Sequence, residues 1–291
     1  MRIADAEATT DSIMSQKGVP LTGSSWETDE FDIDAYLARM GVKRGPPTIE
    51  TLNMLMHAHL HTYAFANVDI LLGQHKDVAP RTVQERLVAR SRGGYCFQHL
   101  QIFAAALESM GFCIERHLGR VYSWHDCRTH MTVFVSMDDG EYMCDPGFIF
   151  SPPCAMKLVD GATYTAAGRT FEIRKVIHKN HVYWELRRGG KLQHVTDLLP
   201  IEPQDVQLGD VVTSRIIRPF LDNLMLGTYI DEDTYVTVTA NSRTIRRTGQ
   251  PTKHVKISAE EAVAEVSKLK VELVQDEPER LAAALKKLDI Q

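Results

Sequence analysis

The feature that most constrains this chain is an abrupt change of texture between Gly111 and Phe112. Before it, apolar residues recur every three or four positions: Leu52, Leu55, Met56 and Leu60 in one stretch, then Phe97, Leu100, Phe103 and Leu107 in another. That spacing lines one face of an α-helix. After it come the short β-branched and aromatic runs FCIERHLGRVY, THMTVFVSM, EYMCD, RTFEIRKVIH and HVYWELRR, punctuated by DDG, GR, KN and RGG. Such runs read as antiparallel strands joined by turns. Helices first and strands afterwards argue for the α+β class rather than a doubly wound α/β sheet.

Local signals refine this organisation. FDIDAYLARM predicts a helix that stops at Gly41, a left-handed C-cap, and Thr48 can N-cap the next. RTVQERLVAR predicts a third helix and YCFQHLQIFAAALESMG a fourth. Later, the TYVTVTA and RTIRRT strands precede a helix over 258–271, opened by a Ser258–Glu261 capping box. PERLAAALKKL gives the last helix. The expected sections are a flexible tail over 1–25, a helical domain over 26–111, an antiparallel barrel-like domain over 112–205 and a mixed domain over 206–291.

Charge and cysteine content narrow the function. With 33 Lys+Arg against 38 Asp+Glu, the net charge is −5, which argues against a nucleic-acid partner. No apolar run reaches the roughly 18 residues of a membrane span. MRIADAEATTDSIMSQKG lacks the apolar core of a secretory signal, so the expected location is cytoplasmic. Five cysteines, an odd number without a CxxC pair, suggest neither a disulfide framework nor a thiolate zinc site. His57, His59 and His61 alternate along a predicted helix, where positions two apart diverge. They are expected to be partly exposed helix residues, and no metal is expected.

The heptad Arg92-Gly93-Gly94-Tyr95-Cys96-Phe97-Gln98 carries the most chemistry. Two glycines permit a sharp turn directly before a helix, which places Cys96 in its first turn. Unpaired N–H groups and the positive end of the helix dipole favour a thiolate there. Arg92 is expected to add positive potential. Position alone leaves two readings open, a nucleophile or a small core residue at a helix start.

A nucleophilic thiolate also needs an imidazole base, and the base needs an orienting carboxylate. His99, His117, His125 and His130 are the candidates for base, and His125-Asp126-Cys127 reads as a solvated loop. His130 heads the MTVFV strand, and Asp145 follows EYMC, fifteen residues on. A two-residue turn at Asp139-Gly140 would set Asp145 opposite Phe134, four residues out of step with His130. At about 3.3 Å per residue that leaves roughly 13 Å, so a twist, a bulge or a bend past Thr129 has to close the pair.

The set RGGYCFQ, Thr129-His130 and Asp145-Pro146-Gly147-Phe148 resembles the arylamine N-acetyltransferases in order and spacing. The resemblance extends over about residues 30–285 and implies a helical bundle, an antiparallel β-barrel and a C-terminal α/β lid. It implies that Cys96 accepts the acyl group, His130 is its base and Asp145 orients the base. Three departures stand out. Leu100 replaces the family's usual Asn, Ala64-Phe65-Ala66-Asn67 lacks the usual carboxylate at Ala66, and Ile149-Phe150-Ser151-Pro152-Pro153 replaces a glycine-containing loop.

The implied chemistry is ping-pong acetyl transfer from acetyl-CoA, the co-substrate, to a small arylamine or arylhydrazine. Phe65, Phe148 and Phe150 are expected to wall the acceptor site. Two alternatives use the same residues: an amide synthase of the same family acting on a polyketide-like chain, and a cysteine hydrolase or transglutaminase-like enzyme.

Overall fold

The computed structural model describes residues 26–288, so the tail expected over 1–25 lies outside the described residues. The fold is α+β. Helix Ile33–Met40 is N-capped by Asp32 and ends at Gly41 with φ 69°. Helix Ile49–Thr62 is N-capped by Thr48. The third expected helix is split: one α-turn, Pro80–Val83, runs into a π-helical segment, Gln84–Ala89. Helix Cys96–Ser109 is buried at every position over 96–107. A helix apolar on all sides belongs at the centre of a core.

An eight-stranded antiparallel sheet packs against that helix. Its order is Met156–Lys157, Gly140–Cys144, Arg128–Met137, Cys113–Val121, Lys191–Asp197, His181–Arg188, Arg169–His178, Thr163–Ala166. Alternation along Arg128–Met137 gives the sheet two different faces. Met131, Val133 and Val135 join the helical core, whereas Phe134 joins Phe171, Ile173, Trp184 and Leu186 in a second core. Lys191–Asp197 closes onto Cys113–Val121 through Gly119, Arg120 and Val121. The sequence does not announce this strand, because KLQHVTD is short and polar.

A five-stranded antiparallel sheet follows, ordered Phe65–Ala66, Leu226–Asp231, Thr234–Val238, Ser242–Arg247, Lys253–Lys256. Phe65 pairs with Gly227 and Ala66 with Leu226, so the helical segment lends an edge strand to the C-terminal sheet. Helices Ala259–Lys268 and Glu277–Leu288 cover this sheet, with Val263, Val266, Leu281 and Leu285 against Val236 and Val238. The Ser258–Glu261 capping box is present. Among the described residues, no helix is long and apolar enough to cross a membrane.

A buried ionic network ties the last helix to the loop before Cys96. Arg92 donates to Glu277 Oε2 at 2.6 Å, to Asp69 Oδ1 at 2.8 Å and to the Glu272 carbonyl at 2.6 Å. Arg86 also pairs with Asp69. The expectation that Arg92 lends potential to Cys96 needs correcting, because its charge is matched here by two carboxylates. Burial pushes the Glu277 carboxyl up, but hydrogen bonds from Arg92, the Val274 N–H and Gln74 outweigh it and hold the group at about 2.

Removing one member of a buried ionic set leaves another charge uncompensated. Glu277→Ala should lower the unfolding free energy by about 3 kcal/mol, read by urea denaturation at neutral pH. The stabilisation from this depressed carboxyl is present above its ordinary value of 4.5 and is lost as pH falls towards 2. The wild-type advantage over the variant should therefore shrink along that acid limb. An unchanged midpoint at neutral pH would show that the network contributes nothing.

Candidate active site

Cys96 is the first residue of its helix, and the loop before it is held by close backbone approach. Gly93 has φ 68°, and a Cβ there would fall 2.7 Å from the Ala66 Cβ. Ala66 N–H donates to the Gly94 carbonyl at 2.6 Å, and Gly94 N–H to the Ala64 carbonyl at 3.2 Å. The Gln98 side chain accepts from Tyr95 N–H at 3.2 Å, capping the helix start. From the other side Gly147 presses on the nucleophile turn: a Cβ there would lie 1.9 Å from Leu100 Cδ2 and 2.7 Å from the Cys96 carbonyl oxygen. Leu100, one of the departures from the family pattern, thus packs where Gly147 leaves room.

His130 and Asp145 meet. His130 Nε2 lies 2.8 Å from Asp145 Oδ2, with both side chains buried. The hairpin achieves this by a register different from the expected one. Met137 pairs with Gly140 and Val133 with Cys144, so the turn residues are Asp138 and Asp139. Gly140, at φ 135°, begins the return strand. Continuing that ladder sets Asp145 beside Thr132, two residues from His130 instead of four. A diagonal pair on one face is about 7–8 Å apart at Cα, a gap that two long side chains close.

The expected bulge is present too. Gly119 pairs with His130 and Arg120 with Arg128, leaving Thr129 as the extra residue. Bulges re-aim neighbouring side chains. The Thr129 carbonyl oxygen lies 3.6 Å from Cys96 Sγ and accepts from Thr213 Oγ1 at 3.4 Å. With Nε2 engaged by Asp145, Nδ1 is the nitrogen of His130 that remains for the thiol.

A third residue, unforeseen in the sequence, completes the cluster. His194 Nε2 stands 3.0 Å from the same Asp145 oxygen. Its approach lacks hydrogen-bond alignment, and its Nδ1 lies 3.2 Å from Thr196 Oγ1. Recognising it required the strand Lys191–Asp197, and alternation along that strand was the available signal.

The electrostatics separate the two imidazoles. Burial pulls His130 down, but the charge and hydrogen bond of Asp145, reinforced by Cys96, raise it to about 10. Burial pulls His194 down as well, and the neighbouring His130 charge adds to that. Burial pushes the Asp145 carboxyl up, but His130 and then His194 hold it at about 2. At neutral pH the set is one imidazolium, one neutral imidazole and one carboxylate. These three donor atoms lie close enough to ligate a cation. A His130 that keeps its proton to about pH 10 donates to Asp145.

The other histidines have structural surroundings. His99 bonds His59 at 2.7 Å and the Gly94 carbonyl at 3.1 Å, and burial lowers it to about 4. It braces the nucleophile loop. His117 is buried beside Phe134, and His125 is exposed. Of the three alternating histidines of Ile49–Thr62, His57 and His61 are half-buried as expected and His59 departs from the expectation. His59 is fully buried and bonded to Tyr36, whereas His57 and His61, four apart, stack at 3.9 Å. With Glu232, which pairs with His57 at 2.7 Å, they form a group able to hold a metal. Spacing of four, not two, was the relevant period.

Cys96 opens into a cleft of about 410 Å³, lined among others by Phe65, Thr129, His130, Phe148 and Phe220. Asp126 and Cys127, from the expected solvated loop, are exposed and also line it. Phe65 and Phe148 thus stand where the sequence suggested. Phe150 is not among the lining residues; it lies behind Phe148 at 6.3 Å. Residues 216–220 and Met225 shut one side, and helix Pro203–Arg215 before them is anchored at Asp210, which accepts from Tyr95 Oη and lies 2.8 Å from His75. All five cysteines are unpaired.

The family model described as N-acetyltransferase matches residues 48–279. An arylamine N-acetyltransferase / N-hydroxyarylamine O-acetyltransferase of Salmonella typhimurium is 35% identical over 121 residues, 40% of this chain. The matched segment spans 43% of that relative, less than half its length. The solved arylamine N-acetyltransferase of Mycobacterium abscessus superposes with a TM-score of 0.84 at 26% identity, over 92% of this chain and 99% of its own. That of Mycobacterium marinum, solved in complex with CoA, gives 0.77 at 22% identity over 88% and 99%.

Asp145→Asn would remove the charge that raises His130 while leaving the ring buried. Iodoacetamide inactivation at neutral pH should slow by about a hundredfold or more, as loss of an orienting carboxylate does in other triads. The wild-type rate should already be high at neutral pH, where the imidazolium pairs with the thiolate, whereas the variant should need higher pH for the same rate. Superimposable profiles would reduce Asp145 to a turn residue.

Proposed function

Because the chain belongs to the arylamine N-acetyltransferase family, we propose that it moves an acetyl group from acetyl-CoA to an arylamine or arylhydrazine through an acetyl-cysteine on Cys96. The observation that carries this reading is the placement of Cys96 at a helix start, between the His130–Asp145 pair and an apolar cleft.

In the first half-reaction the Cys96 thiolate attacks the acetyl carbonyl and the carbon–sulfur bond to CoA breaks. The His130 imidazolium gives its Nδ1 proton to the departing CoA thiolate. In the second, the amine attacks the acetyl-cysteine, the bond to Cys96 breaks, and His130 takes the amine proton as the Cys96 thiolate re-forms. Asp145 stays ionised throughout and steadies whichever charge His130 bears. An arylamine is nucleophilic only when neutral, and the rings of Phe65 and Phe148 offer it apolar faces. The CoA bound to the Mycobacterium marinum protein supports acetyl-CoA as donor.

The cleft wall formed by residues 216–220 and Met225 supports reading 206–291 as a lid over a helical section, 26–111, and a barrel section, 112–205. Five free thiols, one of them the proposed nucleophile, suit a reducing cytoplasm.

Mixing the protein with acetyl-CoA should add the mass of one acetyl group, mapped to Cys96, and an arylamine should discharge it. Cys96→Ser should show neither the gain nor transfer, because a hydroxyl lacks the acidity to exist as its anion here. A gain on another residue, or transfer by Cys96→Ser, would overturn the reading.

A further inference from the structure

Three arginines converge behind the cleft wall without a carboxylate among them. Arg169 comes from Arg169–His178, Arg188 from His181–Arg188 and Arg246 from Ser242–Arg247, so both sheets contribute. The Arg188 guanidinium sits 3.8 Å from the Phe150 ring centroid, and that of Arg246 lies 5.8 Å from the same centroid. Arg169 lies 4.1 Å over Tyr235, whose ring is 6.4 Å from Phe150. Among the described residues, no carboxylate pairs with any of the three, whereas adjacent Arg247 pairs with Asp231.

Arg169 is the most telling of them. It is 5% exposed, donates Nη2 to Tyr229 at 2.5 Å, and has Nε and Nη1 buried with no partner. Unsatisfied buried donors are costly, and a charged one more so. Burial first, and then Arg169 and Arg246, press Arg188 downward. Burial and Arg169 do the same to Arg246. Such an arrangement is stable with an oxyanion between the guanidinium forks, whose donor geometry matches phosphate and carboxylate.

The cluster also adjoins the chemistry. Phe148 lies 5.2 Å from His130 and 6.3 Å from Phe150. Tyr122, which lines the cleft, feels the charge of Arg188. We propose that Arg169, Arg188 and Arg246 form an anion subsite for a phosphate or carboxylate carried by one of the two substrates of the cleft. This assignment also gives Phe150 its place, as the platform on which Arg188 is held. The link to a substrate rests on the acyl-transfer reading; the anion site itself does not.

The test has two arms on the full chain, with wild type and the Arg188→Gln/Arg246→Gln double variant. In the first, thermal unfolding is followed with inorganic pyrophosphate and, separately, benzoate at matched ionic strength. The wild-type midpoint should rise with at least one of them, and the variant should need about tenfold more anion for the same rise. Equal responses, or none, overturn the site. In the second, KM is compared for acetyl-CoA against acetyl-pantetheine, which lacks phosphate, and for a carboxylated against an uncharged arylamine. A rise of about tenfold or more confined to acetyl-CoA assigns the anion to the donor, and one confined to the carboxylated amine assigns it to the acceptor. KM values unchanged for both overturn the substrate assignment. If wild type transfers no acetyl group at all, the acyl-transfer reading fails while the thermal arm still decides the anion site.

Discussion

The structure around Cys96 depends on one buried carboxylate. Asp145 is 2% exposed and would be too costly to keep ionised there without partners. It has two, His130 at 2.8 Å and His194 at 3.0 Å, drawn from different strands. Those contacts hold Asp145 near 2 and His130 near 10. The carboxylate thereby fixes which ring nitrogen of His130 faces the thiol and keeps that ring charged.

Such a charge is useful only if Cys96 is held against it, and this is achieved by close packing. Gly147, two residues after Asp145, leaves no room for a Cβ between itself and the Cys96 backbone. Gly93 does the same against Ala66, whose strand belongs to the other sheet. Behind Gly93, Arg92 is fastened to Asp69 and Glu277. The last helix, the nucleophile loop and the hairpin that bears Asp145 are thus one mechanical unit, although the last helix lies more than a hundred residues along the chain from the other two.

Much of this was legible in the residues. Three- and four-residue spacing revealed the helices, and the Asp32, Thr48 and Ser258 caps fell where side-chain chemistry puts them. Cys96 at a helix start followed from two glycines before an apolar repeat. What escaped was register and partner choice. The hairpin turns at Asp138-Asp139 rather than Asp139-Gly140, a two-residue slip that brings Asp145 beside His130. A short polar strand hid His194. Arg92 read as a lone charge because its carboxylates are distant in sequence, and Phe150 read as a cleft wall because nothing local announces Arg188 above it. Each miss concerns a contact between segments that only the folded chain brings together.

The central claim is that His130 is an imidazolium in the resting protein because Asp145 and Cys96 hold its proton. Nitrogen-15 NMR of the imidazoles, with His130 assigned by substitution, reads this directly. Both ring nitrogens of His130 should appear protonated from neutral pH until about pH 10, while His194 shows one protonated nitrogen throughout. A His130 that titrates near its ordinary 6.5, with one bare nitrogen at neutral pH, would contradict the account.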